Sequence, residues 1–291
     1  MAADILAAAI HRLEAADIET ARLDAEVLLA EAAQVSRVEI LTGTLVVSSE
    51  ALHKFDSMVT RRAAREPVAY IVGHKEFFSL DFEVTHAVLI PRPETEFLVS
   101  AALEAIAGKP GARVLDIGTG SGAIAIAIAV NAPGAIVTAA DISAEALAIA
   151  RRNARQHRVD DRMSCALADV YEALDNSEVL GTFDLIVSNP PYVSEKSLAQ
   201  LAPEILIHEP RVALTDHSDG LQFYRRIAQG ARSHMTDDAQ LMVEAGAGQD
   251  HAIVEIFERA GLAPNGVIND LAGIPRVVIA SNRRAFPNTP R

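Results

Sequence analysis

The chain has 291 residues, half of them apolar, with one cysteine and a formal net charge of −13. That length supplies a substantial core in one large domain or two smaller ones, and a lone thiol excludes an intrachain disulfide, which fits a reducing, cytoplasmic setting. The acidic balance speaks against a broad electrostatic footprint on DNA or RNA, so no stable nucleic-acid partner is expected.

The start of the chain, Met1-Ala2-Ala3-Asp4, has no basic n-region, and Asp4 and Glu14 argue against a transit peptide. Residues 1–74 are expected to form a small helical bundle. Alanine and leucine dominate there, and Leu23, Val27, Leu28 and Ala32 recur on one helical face, with Thr20 as the expected N-cap. A further helix is predicted from Ser49 towards Arg65, ending before Pro67. This block carries no glycine-rich loop and no cluster of catalytic residue types, so a capping or recruiting role is expected of it.

Residues 75–89 read as a hairpin linker, because Lys75–Thr85 alternates in a strand-like way around Ser79-Leu80-Asp81. Pro91 and Pro93 then force an extended connector, with a helix starting near Glu94. Residues 90–291 form the expected catalytic domain. Its strand candidates are Val114–Asp116, Ile136–Asp141, Cys165–Ala168, Phe183–Ser188, Leu241–Ala245 and Val277–Ala280. Helical stretches lie between them, including Ala123–Val130, Ser143–His157 and Gln249–Ala260. Such alternation predicts a parallel sheet covered on both faces. The run Ile117–Ala140 holds no charged residue and is long enough to span a bilayer. Its breakers (Gly118, Gly120, Gly122, Asn131, Pro133 and Gly134) divide it into turn, helix, turn and strand, so no membrane association is expected. The stretch Ser281–Arg291 is polar, carries two prolines and is expected to fray.

Two segments carry chemistry. The first is Asp116-Ile117-Gly118-Thr119-Gly120-Ser121-Gly122, a glycine loop between a strand and a helix. Glycines let a ligand approach the backbone, and the helix N-terminus offers free N–H groups. Asp141 ends the second strand, where a carboxylate can accept hydrogen bonds from ribose hydroxyls. Gly118-x-Gly120-x-x-Ala123 with Asp141 also satisfies a loose dinucleotide fingerprint, so a nicotinamide oxidoreductase stays open on the loop alone. The second segment is Asn189-Pro190-Pro191-Tyr192. Two prolines fix φ and remove two backbone donors, so the corner offers carbonyl oxygens, a carboxamide and a phenol. Such a wall accepts hydrogen bonds from a planar –NH2 group and carries no charge.

Other candidates are weaker. His208, His217 and His234 show no metal-ligand spacing, so no metal site is expected. Ser121 does not sit in a Gly-x-Ser-x-Gly elbow. Arg151, Arg152, Arg155 and Arg158 give one helix a basic end, which ordinarily is a solvated face favourable to the helix dipole.

Together these residues resemble the protein-(glutamine-N5) methyltransferases that modify peptide chain release factors, the PrmC/HemK family. The resemblance runs through Glu66-Pro67-Val68-Ala69-Tyr70-Ile71-Val72-Gly73, Phe77-Phe78-Ser79-Leu80, Ile90-Pro91-Arg92-Pro93-Glu94-Thr95-Glu96, Asp116–Gly122, Asn189–Tyr192 and Glu209-Pro210-Arg211-Val212-Ala213-Leu214. It implies an α/β fold: a Rossmann-like class I S-adenosylmethionine-dependent methyltransferase with an N-terminal helical bundle and a connecting hairpin. It implies S-adenosyl-L-methionine bound by Gly118, Thr119, Gly120, Ser121 and Gly122, by Asp141 at the ribose, by Asp169 and Val170 beside the adenine, and by Asn189. Many relatives have an aromatic where this chain has Val170. Arg92 and Thr95 belong to a segment that packs near the cofactor in that family. The implied substrate is the glutamine of a Gly-Gly-Gln segment in a release factor, which ties the chain to translation termination. Asn189, Pro190, Pro191 and Tyr192 would hold it. Asn189 Oδ1 and the Pro190 carbonyl would accept the two amide protons, and Tyr192 would stack on the amide. Methylation of a ribosomal-protein glutamine, or of adenine N6 in nucleic acid through a flipped base, remains an alternative, as does a non-catalytic module that binds the cofactor.

Overall fold

A computed structural model of the chain describes residues 2–41, 47–172, 174 and 181–282. The chain divides into two compact units, Met1–His74 with Leu201–His208, and Lys75–Gln200 with Glu209–Arg291.

The first unit is helical: α1 (Ala2–Glu14), α2 (Ala21–Ala33), α3 (Arg37–Leu41), α4 (Ser49–Ala63), α5 (Val68–Val72) and the later α9 (Pro203–His208). Its core joins Leu13, Leu28, Leu29, Phe55, Met58, Val59 and Ile71. Ser48 caps α4 by accepting the Ala51 N–H at 3.1 Å. Thr20 does not cap α2. Its φ of −92° and ψ of 17° are not the extended N-cap geometry, and its hydroxyl donates to Asp24 Oδ2 instead. Asp24 turns inward to meet the buried Arg62 guanidinium at 2.7 Å. That inward face of α2 carries Ala21, Ala25, Leu28 and Ala32 and leaves Leu23, the expected first core residue, exposed. Arg62 also reaches Glu204 of α9 at 3.2 Å.

A hairpin, β1 (His74–Phe77) and β2 (Leu80–Glu83), starts at the last residue of the segment Met1–His74 and belongs otherwise to the second unit. Its two-residue turn falls at Phe78 and Ser79, both with positive φ, one step before the Ser79–Asp81 centre expected from sequence. A tight turn at Pro93–Thr95 then leads into α6 (Glu96–Ala105). There follow β3 (Arg113–Ile117), α7 (Ala123–Asn131), β4 (Ile136–Asp141), α8 (Ala144–Gln156), β5 (Met163–Leu167), β6 (Phe183–Ser188), α10 (Gln222–His234), β7 (Met235–Glu244), α11 (Asp250–Arg259), β8 (Ala263–Asn269) and β9 (Pro275–Ser281). The uncharged run is thus the end of β3, a turn, α7 and β4, and no helix among the described residues is long and apolar enough to cross a membrane.

The seven strands run in the order β5-β4-β3-β6-β7-β9-β8. Residues alternate between two cores. Val114, Val137, Leu185 and Met242 face one, while Leu115, Ile186, Leu241 and Val278 face the other. α7 is buried from Ala123 to Ala129, as an apolar helix without a polar face must be. Two corrections concern the far edge. The sheet is mixed rather than all parallel, because β9 runs antiparallel to both β7 and β8. β8 has no counterpart among the sequence-predicted strands: Pro264, Asn265 and Gly266 conceal it, and it bulges at that point. β7 also starts at Met235, earlier than the expected Leu241. The expected fraying tail lies outside the described residues from position 283 onward.

The chain leaves β3 for β4 on one side and returns to β6 on the other. The order therefore reverses at β3, and a crevice opens at the carboxyl ends of the strands there.

Candidate active site

The crevice is a partly open cleft, with about 820 Å³ of empty space when the solvent at its mouth is included. Of the residues singled out in the sequence, Gly118, Gly120, Asp141, Asp169, Val170, Asn189, Pro190 and Pro191 line it. Thr119, Ser121, Gly122 and Tyr192 do not. Their surroundings show what each does instead.

The glycine loop is folded by hydrogen bonds to the strands it leaves. Gly118 and Thr119 N–H groups both donate to the Ala140 carbonyl, at 2.8 and 3.0 Å. The Gly120 N–H donates to Asp141 Oδ2 at 2.8 Å. Gly120 has a φ of +55°, and a Cβ built there would meet nothing within 4 Å, so its backbone lies open to the cleft. Gly122 differs. A Cβ there would sit 2.9 Å from Ile126 Cδ1 and 3.2 Å from Ala150 Cβ, so this glycine lets α7 pack against α8. The Ser121 carbonyl accepts from Asn153 Nδ2 at 2.8 Å. Asn153, wholly buried on α8, also exchanges hydrogen bonds with the Glu83 backbone of β2. It thereby braces the loop from behind, a role no local pattern announces.

Two carboxylates stand at this loop. Asp116 is fully buried, accepts from the Thr119 hydroxyl at 2.6 Å, and leaves Oδ1 without a hydrogen-bond partner among the described residues. Burial, helped by the nearby Asp141 charge, pushes its pKa up to about 7. Burial also raises Asp141, against the opposing hydrogen bonds from the Ser143 and Gly120 N–H groups. A carboxylate has about four acceptor positions, so Asp141 retains capacity for ribose hydroxyls. Two mutually repelling carboxylates disfavour a diphosphate at the loop and favour a ligand carrying positive charge. The sulfonium and ammonium groups of S-adenosylmethionine meet that requirement better than a nicotinamide dinucleotide does.

One side of the cleft is apolar. Val170 is buried at a φ of +60°, a left-handed conformation that costs a β-branched residue about 1–3 kcal/mol. The Ala168 N–H, donating to the Asp141 carbonyl at 2.9 Å, holds this turn beside β4. Ile142, Phe223 and Ile227 line the same cleft and were not singled out in the sequence. Ile142 offered a signal, an apolar residue directly after the loop-facing Asp141. Asp169 pairs with Arg226 at 2.9 Å.

The opposite wall is the proline corner. Ser188 anchors it by donating to the Ile117 carbonyl at 2.7 Å. Asn189 Nδ2 donates to Thr95 Oγ1 at 3.1 Å, which leaves Oδ1 as its other polar end. Tyr192 supports the corner from behind. Its ring lies against Gly246, and its carbonyl accepts from Gln249 Nε2 at 3.0 Å. Arg92 does not line the cleft; it pairs with the buried Glu209, which also accepts from the Ile90 N–H. That clamp ties the Ile90–Arg92 segment to Pro210, Val212 and Ala213, which complete the rim. Among the described residues no group of three or more His, Cys, Asp or Glu side chains is placed to hold a metal ion.

The chain is similar to known proteins over most of its length. Residues 4–73 match the PrmC N-terminal domain, and residues 93–247 match the methyltransferase small domain. The release factor glutamine methyltransferase of Cereibacter sphaeroides is 42% identical over 280 residues, which is 96% of this chain and 98% of that protein. The protein of the same name from Geobacter sulfurreducens is 42% identical over 262 residues, 90% of this chain and 89% of that one. Among solved structures, the hMettl16 catalytic domain bound to an RNA hairpin aligns with a TM-score of 0.56 at 16% identity, covering 79% of this chain and 84% of that one. A methyltransferase from Pyrococcus furiosus aligns at 0.51 and 19% identity, covering 78% and 97%. At those identities the two structures speak for the class I methyltransferase fold alone.

Proposed function

The chain belongs to the release factor glutamine methyltransferase family, and we propose that it transfers a methyl group from S-adenosyl-L-methionine to the side-chain amide nitrogen of the Gly-Gly-Gln glutamine in peptide chain release factors. The observation that carries this reading is the meeting, in one cleft, of an uncharged proline corner with the glycine loop and Asp141. Methylation of adenine N6 or of a ribosomal-protein glutamine is not favoured, since the full-length relatives bear the release-factor name.

The bound cofactor supplies an electrophilic sulfonium methyl. The protein's task is to hold a poor nucleophile in line with it, since an amide nitrogen has its lone pair delocalised into the carbonyl. We assign Asn189 Oδ1 and the Pro190 carbonyl to the two amide protons of the substrate. Held that way, the amide cannot rotate, and positioning of this kind contributes up to about 7–11 kcal/mol in favourable systems. The same two oxygens stabilise the positive charge that develops on nitrogen during transfer. No base need act first, because the N–H becomes acidic only once the methyl has arrived, and the proton then leaves to water. Pro191 keeps the corner rigid and free of donors, and Tyr192 acts as its backing. Gly118 and Gly120 take the cofactor against their backbone with Thr119, Ser121 and Gly122 shaping the turn. Asp141 would hold the ribose, and Val170, with Asp169 beside it, would cover the adenine. The apolar wall that Val170 forms with Ile142 and Phe223 would cover the base in place of a single stacked ring.

We further assign residues 1–74 to recognition of the protein substrate, residues 75–89 to the linker, and residues 90–291 to the chemistry, in the cytoplasm where release factors work. The test is mass spectrometry of purified release factor incubated with cofactor, with and without this protein. One methyl on the Gly-Gly-Gln glutamine is expected. Nucleic acid labelled in preference to release factor would refute the assignment.

A further inference from the structure

We infer that Glu244, acting through Thr95, dictates which end of the Asn189 carboxamide faces the substrate, and is therefore a positioning residue for methyl transfer. The inference rests on the role given above to Asn189. Glu244 ends β7 and is almost wholly buried. Its Oε2 accepts the Thr95 hydroxyl at 2.6 Å, and the same Thr95 oxygen lies 3.1 Å from Asn189 Nδ2. A hydroxyl has one proton. Once that proton is given to the carboxylate, Thr95 Oγ1 can only accept from Asn189. The carboxamide must then turn its NH2 to Thr95 and leave Oδ1 as its remaining end. That polarity is what a substrate –NH2 requires, because a donor facing a donor would repel it. The carboxylate reads out at the reacting nitrogen through two hydrogen bonds, without touching the substrate.

The surroundings of Glu244 make this order reversible. Burial and Glu94 favour its protonated form, while Thr95, Arg276 and Arg92 favour the carboxylate, and the net result is a pKa raised to about 7. Tyr192 lies near it, and the Tyr224 hydroxyl donates to the Glu244 main-chain carbonyl at 2.8 Å, holding the strand end in place. When protonated, Glu244 can itself donate to Thr95. The Thr95 proton is then free for Asn189 Oδ1, which permits the carboxamide to flip and present NH2 to the substrate. Turnover should therefore show an acid limb that belongs to Glu244, although Glu244 touches neither reactant.

The test uses the full chain with release factor and S-adenosylmethionine. Thr95→Val is expected to lower kcat by about tenfold or more, with cofactor affinity changed by less than about threefold, and Thr95→Ser to restore most of the loss. Glu244→Gln, which has no charge to lose, is expected to flatten the acid limb of kcat between about pH 6 and 8. A readout independent of activity is the side-chain NH2 resonance pair of Asn189, identified by its loss in Asn189→Ala. It should shift with pH across that range in the wild type and stay fixed in Glu244→Gln. The inference fails if Thr95→Val keeps kcat within about twofold, if Thr95→Ser is as impaired as Thr95→Val, or if the Asn189 resonances titrate alike in both proteins. Absence of release-factor methylation by the wild type would overturn the proposed function, and the resonances would still decide the role of Glu244.

Discussion

Two glycines of one loop should respond oppositely to the same substitution, Gly120→Ala and Gly122→Ala. Both have positive φ, +55° and +82°, so each alanine carries about 1–2 kcal/mol of backbone strain. At Gly120 the added methyl meets no atom within 4 Å, so strain is the whole cost to the fold. At Gly122 it would lie 3.2 Å from Ala150 Cβ and 3.3 Å from Ala150 Cα, a buried helix that cannot yield as the Ile126 tip 2.9 Å away can. Overpacking of that kind adds about 1–3 kcal/mol, for a total of about 2–5. In a protein of this size 1 kcal/mol moves Tm by roughly 2–4 °C, so Gly122→Ala should melt of the order of 10 °C early and Gly120→Ala only a few degrees. Binding should rank the other way. The Gly120 methyl occupies cleft space, so S-adenosylmethionine affinity measured by calorimetry should fall about tenfold or more, worth about 1.4 kcal/mol. Gly122→Ala should bind nearly normally at temperatures where it is folded. Equal destabilisation by the two substitutions, or unimpaired binding by Gly120→Ala, would refute the division of the loop into a ligand-facing and a helix-packing glycine.

Three further outcomes are expected. Asn189→Ala should retain cofactor affinity by calorimetry while turnover drops by about 10²–10³, the scale of losing one transition-state hydrogen-bonding group; normal turnover would show that Asn189 does not aim the amide. Asp116 has a folded pKa of about 7 against an ordinary 3.8, so it favours the fold fully at low pH and loses that contribution as pH rises to about 7. Chemical denaturation without cofactor should therefore show Asp116→Asn gaining on the wild type between about pH 4 and 8, by up to roughly 4 kcal/mol from a shift of some three pKa units; a pH-independent gap would mean that Asp116 is not strained by its charge. Asp24→Ala strips Arg62 of its 2.7 Å partner and leaves Glu204 alone to neutralise it, which should cost the helical unit about 3 kcal/mol by denaturant midpoint; a loss under about 1 kcal/mol would assign that buried pair no structural weight.

The strand–helix alternation is legible in the sequence because the parallel strands are mostly apolar runs with helical periods between several of them, as where Ile136–Asp141 is followed by Ala144–Gln156. The antiparallel edge is not legible in the same way. β8 is half exposed and contains Pro264 and Gly266, so nothing local distinguishes it from a loop, and only its pairing with β9 makes it a strand. Leu23 and Thr20 mislead for a related reason. Their neighbour Asp24 is committed to Arg62, a partner 38 positions away, and that pairing turns the helix. The glycine string shows where a ligand could approach, but neighbouring residues of a tight turn point in different directions, so it does not separate Gly120 from Gly122. Glu244 is the extreme case. Its meaning comes from Thr95, 149 positions earlier, and an isolated glutamate at a strand end announces nothing.

The position of β9 has a consequence for how the molecule is made. It is the last of the described strands to be synthesised, yet it lies between β7 and β8 rather than at the border of the sheet. Until it emerges, the Leu241–Val243 segment of β7 presents an open row of N–H and C=O groups, the template that other chains can join. The nascent protein must carry that sticky margin through roughly thirty codons of translation, and a stop codon near position 270 would leave it permanently unsealed.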